Sequence, residues 1–249
     1  MSKLFWTRRR RGRLAEVHLY WSGLHTGRSI PFNYSMIPNV GVGSNARKAE
    51  GFSRPEAEEE FNRAHVGPPP KKLNGPIALS EYDSSWPMLF AKVRKQIRHA
   101  LGHEVLSIEH VGSTSVPGLA AKPIIDILLV VPNSAEEASY VPALESIGYV
   151  LRIREPHWHE HRLLKGPNVN LHVFSDGDDE TERMSLFRDW LRTNPEDRSR
   201  YLKAKRKLAR KKWKYTQNYA DAKSKVVESI IKKARKSSSR GTPDPSTAG

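Results

Sequence analysis

Apolar residues recur in two rhythms between about residue 76 and residue 235, and each rhythm has its own punctuation. From Ser85, "SWPMLFAKVRKQIRHALGH" carries Leu89, Val93, Ile97 and Leu101 on one stripe. Ser85 stands as N-cap, Pro87 lies in the first turn and Gly102 is a stop, so a helix is predicted. "EVLSIEHV" and "PIIDILLVV" are short apolar runs of strand type, joined by the loop "GSTSVPGLAAK". Ser134 and Glu137 have capping-box spacing; with Val141, Leu144 and Ile147 turned inward they predict a helix ending at Gly148. "YVLRIR", "HRLLK" and "NVNLHVF" predict three more strands. "ETERMSLFRDWLR" and, after Asn194-Pro195, a basic stretch from about 196 to 235 complete the series as helices.

This order predicts an α+β (mixed α/β) fold, a small mixed β-sheet flanked by helices with basic helices at the C-terminal end, covering about 76–235. Residues 1–75 show no sustained period, and "GVGSNARKAEG" and "GPPPKKLNGP" are rich in Gly, Pro and polar residues. They are expected to form a weakly ordered basic extension, with 236–249 as a disordered tail.

Composition narrows the chemistry. The 249 residues include no cysteine, which excludes disulfides, thiolate catalysis and cysteine zinc sites. His, Asp and Glu remain as metal ligands. No apolar run approaches the ~20 residues of a membrane span. "RRRRGR" is followed by no apolar signal core, so a cytoplasmic location is expected, although six arginines and one acid in residues 1–30 leave a transit peptide open. The net charge of +15 divides unevenly into +7 for residues 1–75, −6 for 76–197 and +14 for 198–249. Basicity therefore belongs to the ends, where contact with RNA or another polyanion is expected through the C-terminal helices.

Asp126 interrupts an otherwise apolar run, where an unsatisfied carboxylate would be costly. The preceding loop is not a Walker A motif, because Gly112 and Gly118 are separated by five residues and Lys122 lies four beyond Gly118. It is not a nucleophile elbow either, since no serine there is flanked as G-x-S-x-G. A Gly-Ser turn between two strands, with an acid on the second, suits phosphates cradled by backbone N–H groups and hydroxyls and a cation held by the carboxylate. Ser113, Thr114, Ser115 and Lys122 are the candidate phosphate contacts, although serine and threonine also satisfy turn amides and Asp126 could be a structural acid paired with Lys122.

The stretch "EHVGSTSVPGLAAKPIIDI" resembles the signature of the GrpB family, a group assigned to the nucleotidyltransferase superfamily. "YDSSWP", "EHRLL", "NLHVF", "FRDWLR" and the pairs Tyr201/Lys205 and Tyr219/Lys223 agree in order. The resemblance implies a nucleoside triphosphate and Mg²⁺ bound at the turn, with Gly112 and Ser113 at the phosphates, Asp126 as the catalytic metal ligand, His172 as a catalytic residue that orients or replaces a ligand, and an acceptor that is undefined. His110 within the motif and Arg162 in "EHRLL" join the expected binding residues. The superfamily's second acid should fall at 128, where this chain has Leu128. His172 would then stand near the place of a third acid, provided its strand face meets that of Asp126. Glu109 and Glu160 are the candidate substitutes for the missing acid.

Two other readings remain beside transfer. One is a noncatalytic nucleotide- or phosphate-binding module, linked by the resemblance to coenzyme A metabolism because the family domain also occurs joined to dephospho-coenzyme A kinase. The other is a polyanion binder acting through the basic ends. His157, His159 and His161 in "HWHEHR" could share one strand face and ligate a transition metal.

Overall fold

The computed structural model describes residues 55–238, with side chains from Glu59 onward. Five strands form one mixed sheet: β1 (Ser107–Val111), β2 (Ile125–Val131), β3 (Val150–Glu155), β4 (His161–Gly166) and β5 (Val169–Ser175). Their spatial order is β1-β2-β5-β4-β3. The central β2/β5 pair is parallel and every other pair is antiparallel. The expected mixed α/β architecture is what the chain adopts.

Alternation along β2 explains how that run serves both sheet faces. Ile125, Ile127, Leu129 and Val131 join a core beneath α2 (Trp86–Leu101) and α3 (Val141–Ser146), together with Leu164, Leu171 and Val173. Leu128 and Val130 point the other way, onto Val111, Phe174, Trp158 and Met184. On that side α4 (Asp179–Thr193) packs against β1, and α5 (Pro195–Ala209) and α7 (Ser224–Ser238) pack against α4. The short α6 (Thr216–Asp221) precedes α7, so the basic stretch forms three helices rather than one.

Local details depart from expectation where tertiary contacts claim the residues. In α2 the buried line runs through Trp86, Ile97 and Leu101 with Phe90 and Val93 half-buried, while Leu89 is exposed. The Ser85 side chain makes no capping bond; Asp83 instead accepts from the Ser85 amide at 2.8 Å. Ser134 and Glu137 form no capping box. The Ser134 hydroxyl donates to the Glu160 carbonyl at 2.8 Å, and Glu137 accepts from both Arg154 and Arg162.

Regular structure begins at Pro55, inside the span 1–75 expected to be a weakly ordered extension. Residues 1–54 lie outside the described residues, but α1 (Pro55–Ala64) packs Phe61 against Tyr215 and His65. His65 bridges to Ile153, Val66 donates to the Arg152 carbonyl at 2.9 Å, and Leu73 donates to Lys214 at 2.8 Å. Residues 55–66 thus lie along the β3 edge, which would otherwise present unpaired backbone groups, while Leu73 and Gly75 pair with Lys214 and Trp213. The final helix runs to Ser238, and the expected tail beyond it is not described. Among the described residues no helix is long and apolar enough to cross a membrane.

Candidate functional site

Glycine at 112 is required on two counts. Its φ is 68°, a left-handed value that disfavours side chains, and a Cβ there would run into the Asp126 carboxylate. The turn backbone therefore lies directly on the acid. Register then places Asp126 beside Asn170, and Leu128 beside His172, so the two strand faces do meet. Asn170 donates its amide N–H to Asp126 Oδ1 at 2.8 Å, and His172 Nε2 stands 3.9 Å from the same oxygen.

Lysines ring this group. Lys122, Lys205 and Lys223 all lie within electrostatic reach of Asp126. Burial brings Lys122 down to about 8 and Lys205 to about 7, and burial also lowers Lys223. Neighbouring lysines add to the effect on Lys122 and Lys205, while Asp126 opposes it. For Asp126 itself burial pushes upward, but His172, Asn170 and Lys122 together hold the carboxyl below its usual range. It remains a carboxylate.

The lysines have different duties. Lys205, buried on α5, donates to the Ala120 carbonyl at 2.6 Å and so clamps the loop that follows the turn. Lys122 and Lys223 are half-buried. Each of the pairs Tyr201/Lys205 and Tyr219/Lys223 has its ammonium over its own ring, at 5.5 and 4.7 Å. Tyr201 is buried against Ser113, and burial pushes it to about 12. The Tyr219 hydroxyl is buried with no hydrogen-bond partner among the described residues, an orphan that a water or a ligand oxygen would satisfy.

Not every expected residue reaches this pocket. Thr114 and Ser115 are buried and spend their hydroxyls internally, on the Ile124 and Gly112 carbonyls. The Ser113 hydroxyl is likewise engaged, by the buried Tyr201. His110 lies on the opposite sheet face, stacked on Phe90 at 4.9 Å with Nε2 3.0 Å from the Thr114 hydroxyl. Burial pulls it down to about 4, so it is a neutral support for the turn. Arg162 is also on the far face, buried and bound to Glu137 and Glu160. It holds strands and loop together rather than a ligand.

The substitute acids are accounted for in the same way. Glu160 is taken by Arg162, and Glu109, though on the Asp126 face, is bound by Arg188 at 2.5 Å. Leu128 is 2% exposed and completes an apolar cluster. With one carboxylate amid three lysines, the residues do not fit a two-Mg²⁺ centre, which needs several carboxylates to offset its charge.

The histidines of "HWHEHR" separate. His157 is exposed, and His159 pairs with Asp178 and Asp179 at the start of α4, where Asp178 is occupied as the N-cap. His161 turns inward to bind Glu155 at 2.6 Å and His172 at 3.1 Å. Glu155 and Asp221 are site neighbours that sequence reasoning missed. Glu155 was detectable as the hairpin partner of His161. Asp221, which burial raises to about 6 beside Lys223, had no sequence signal.

A turn that presses its backbone on a strand carboxylate beneath a canopy of Tyr-Lys pairs defines a class of small mixed-sheet domain, and comparison with known proteins gives that class a family. The family model for GrpB protein matches residues 76–233; this chain belongs to the GrpB family. It is 57% identical over 189 residues to a UPF0157 protein of Halalkalibacterium halodurans, covering 75% of this chain and 96% of that one. The crystal structure of conserved protein GrpB from Enterococcus faecalis is similar at a TM-score of 0.56 and 32% identity, covering 65% of this chain and 99% of the other. A dephospho-CoA kinase of Mycolicibacterium paratuberculosis is 30% identical over 159 residues, which cover 53% of this chain but 39% of that protein.

Proposed function

We propose that the chain binds a nucleoside triphosphate through its phosphates at the Gly112–Ser113 turn and transfers the nucleotidyl group to an acceptor hydroxyl. The observation that carries the reading is the convergence of Lys122, Lys205 and Lys223 on a single carboxylate beside that turn. Cations held partly desolvated and near one another gain most from an incoming polyanion. Turn amides and the Ser113 hydroxyl would hold phosphate oxygens, with Lys122 and Lys223 beside them and Lys205 stabilising the loop from behind. In the reaction the acceptor oxygen bonds to the α-phosphorus and the α–β bridging bond breaks, releasing pyrophosphate. Its developing charge falls beside the lysines, so the protein works by positioning and electrostatics. Mg²⁺ carried in on the phosphates would find one protein carboxylate, Asp126.

Calorimetric titration with ATP tests the site. Submillimolar binding that drops at least tenfold in Lys122→Met and Lys223→Met is expected; no binding, or equal binding in both variants, rejects it. A noncatalytic phosphate sensor is the second reading, favoured by the buried Leu128 where the superfamily pattern has an acid. Protein-dependent transfer of label from [α-³²P]ATP into material of a cell extract would reject the sensor; binding without any turnover would reject transfer.

A further inference from the structure

Two Tyr-Lys pairs of the same spacing stand around Asp126, and only one of their tyrosines is satisfied. Tyr201 and Lys205 are four apart on α5 and so share a helix face, and Tyr201 spends its hydroxyl on Ser113 of the turn. Tyr219, in α6, is 2% exposed, with the Lys223 ammonium 4.7 Å from the centre of its ring. Its hydroxyl is near enough to Tyr201 for the two groups to interact electrostatically, yet it has no hydrogen-bond partner among the described residues. A buried O–H left without a partner is costly, and folded proteins keep few of them.

Whatever satisfies that hydroxyl must suit the charges beside it. Asp126 is the one carboxylate that acts on Lys122, Lys205 and Lys223 alike. Both of its oxygens are engaged, because Asn170 donates to Oδ1 at 2.8 Å and Oδ2 lies against the turn at Gly112. A divalent cation arriving with phosphates would meet three ammonium groups and one occupied carboxylate, and like charges repel most strongly where water is scarce. An anion meets the reverse. It finds lysines partly removed from water and a hydroxyl hydrogen with nothing to bond.

We propose that the Tyr219 hydroxyl is a ligand contact, donating to an oxygen of a polyphosphate that the pocket takes as the metal-free anion, with Lys122 and Lys223 supplying the positive charge that a divalent cation supplies in metal-dependent sites. The inference rests on the phosphate reading of this pocket and goes beyond it by naming the form of the ligand and a residue that holds it. Asp126 is then the counter-charge that gathers the lysines before the anion arrives. The proposed role separates Tyr219 from a structural tyrosine, because the two predict opposite effects on the unliganded fold. A hydroxyl satisfied within the fold costs stability when it is removed, whereas removing an orphan returns stability and takes affinity away.

The test is calorimetric titration of the full chain with inorganic tripolyphosphate, in EDTA and again with rising Mg²⁺, beside urea unfolding of the unliganded protein. Wild type should bind in EDTA and lose apparent affinity in step with the free anion as Mg²⁺ is added. Tyr219→Phe should bind about tenfold or more weakly, as expected for a lost hydrogen bond to a charged group, and should unfold at a higher urea midpoint with unchanged slope. Binding that requires Mg²⁺ would overturn the metal-free form and leave the phosphate reading standing; no binding under either condition would overturn both. Unchanged affinity in Tyr219→Phe, or a lower midpoint, would make the hydroxyl a structural group and overturn its role as a contact. If that variant fails to fold, Lys223→Met in EDTA decides: a loss of about tenfold supports the proposal and wild-type affinity overturns it.

Discussion

Lys205 is a buried ammonium whose cost depends on pH. Its folded-state value of about 7 lies below the ~10.4 of an unfolded lysine, so between those values the unfolded chain holds a proton that the folded chain lacks. Stability must therefore rise with pH across that window, by at most about 1.4 kcal/mol per unit from this group, while below it the charged lysine bears the full burial cost. Urea unfolding at pH 7, 8 and 9 should show wild type gaining on Lys205→Met with each step; a constant difference would mean that Lys205 stays charged. Asp126 has the opposite sense. Its depressed carboxyl contributes stability that is present above the unfolded value near 3.9 and is lost as pH falls through the folded one. The turn glycine offers a sharper check. Because a Cβ at 112 meets the carboxylate, Gly112→Ala should cost about 2 kcal/mol or more, and less when Asp126→Ala is present. Equal costs in the two backgrounds would mean that only the backbone conformation matters.

Individual elements were legible to the extent that their side chains serve their own element. The five strands follow their apolar runs, and Pro and Gly mark the ends of α2, because local signals and packing agree there. Ser134 and Glu137 misled because both are spent on distant partners, the Glu160 carbonyl and two arginines. The break between α5 and α6 has no glycine or proline; Trp213 and Tyr215 fold inward there instead. Gly112, Ser113, Lys122, Asp126 and His172 could be read as a group from the motif and strand period, whereas His110 and Arg162 could not be assigned a sheet face without the register. α1 escaped notice because its only buried side chain in the described part is Phe61, set among glutamates. Phe61→Ala should lower stability by about 3 kcal/mol, measurable as a shifted denaturant midpoint with unchanged slope. A shift under about 0.5 kcal/mol would make α1 a passive appendage.

Among the described residues the C-terminal segment carries two kinds of cation, exposed and buried. Lys205 is buried and Lys122 and Lys223 are half-buried, whereas Lys203, Lys207, Arg210, Lys211, Lys212 and Lys232 are exposed on the C-terminal segment. A polyanion held there should bind at about 50 mM salt and be released within a few hundred millimolar, with a log-log slope that falls as these residues are neutralised. Single-stranded RNA in a salt titration checks this, and salt-insensitive binding would contradict it.

The parallel β2/β5 pair also sets an order of events. The strands joined at the centre are separated by α3 and the whole β3/β4 hairpin, so the chain must complete a long excursion before Asp126 meets Asn170. Lys205 and Lys223 arrive later still, from α5 and from the link between α6 and α7. Closing such distant contacts is slow compared with forming helices or a hairpin. On refolding, helical circular dichroism should therefore recover ahead of the pocket, and during synthesis the pocket cannot exist until nearly the whole domain has emerged.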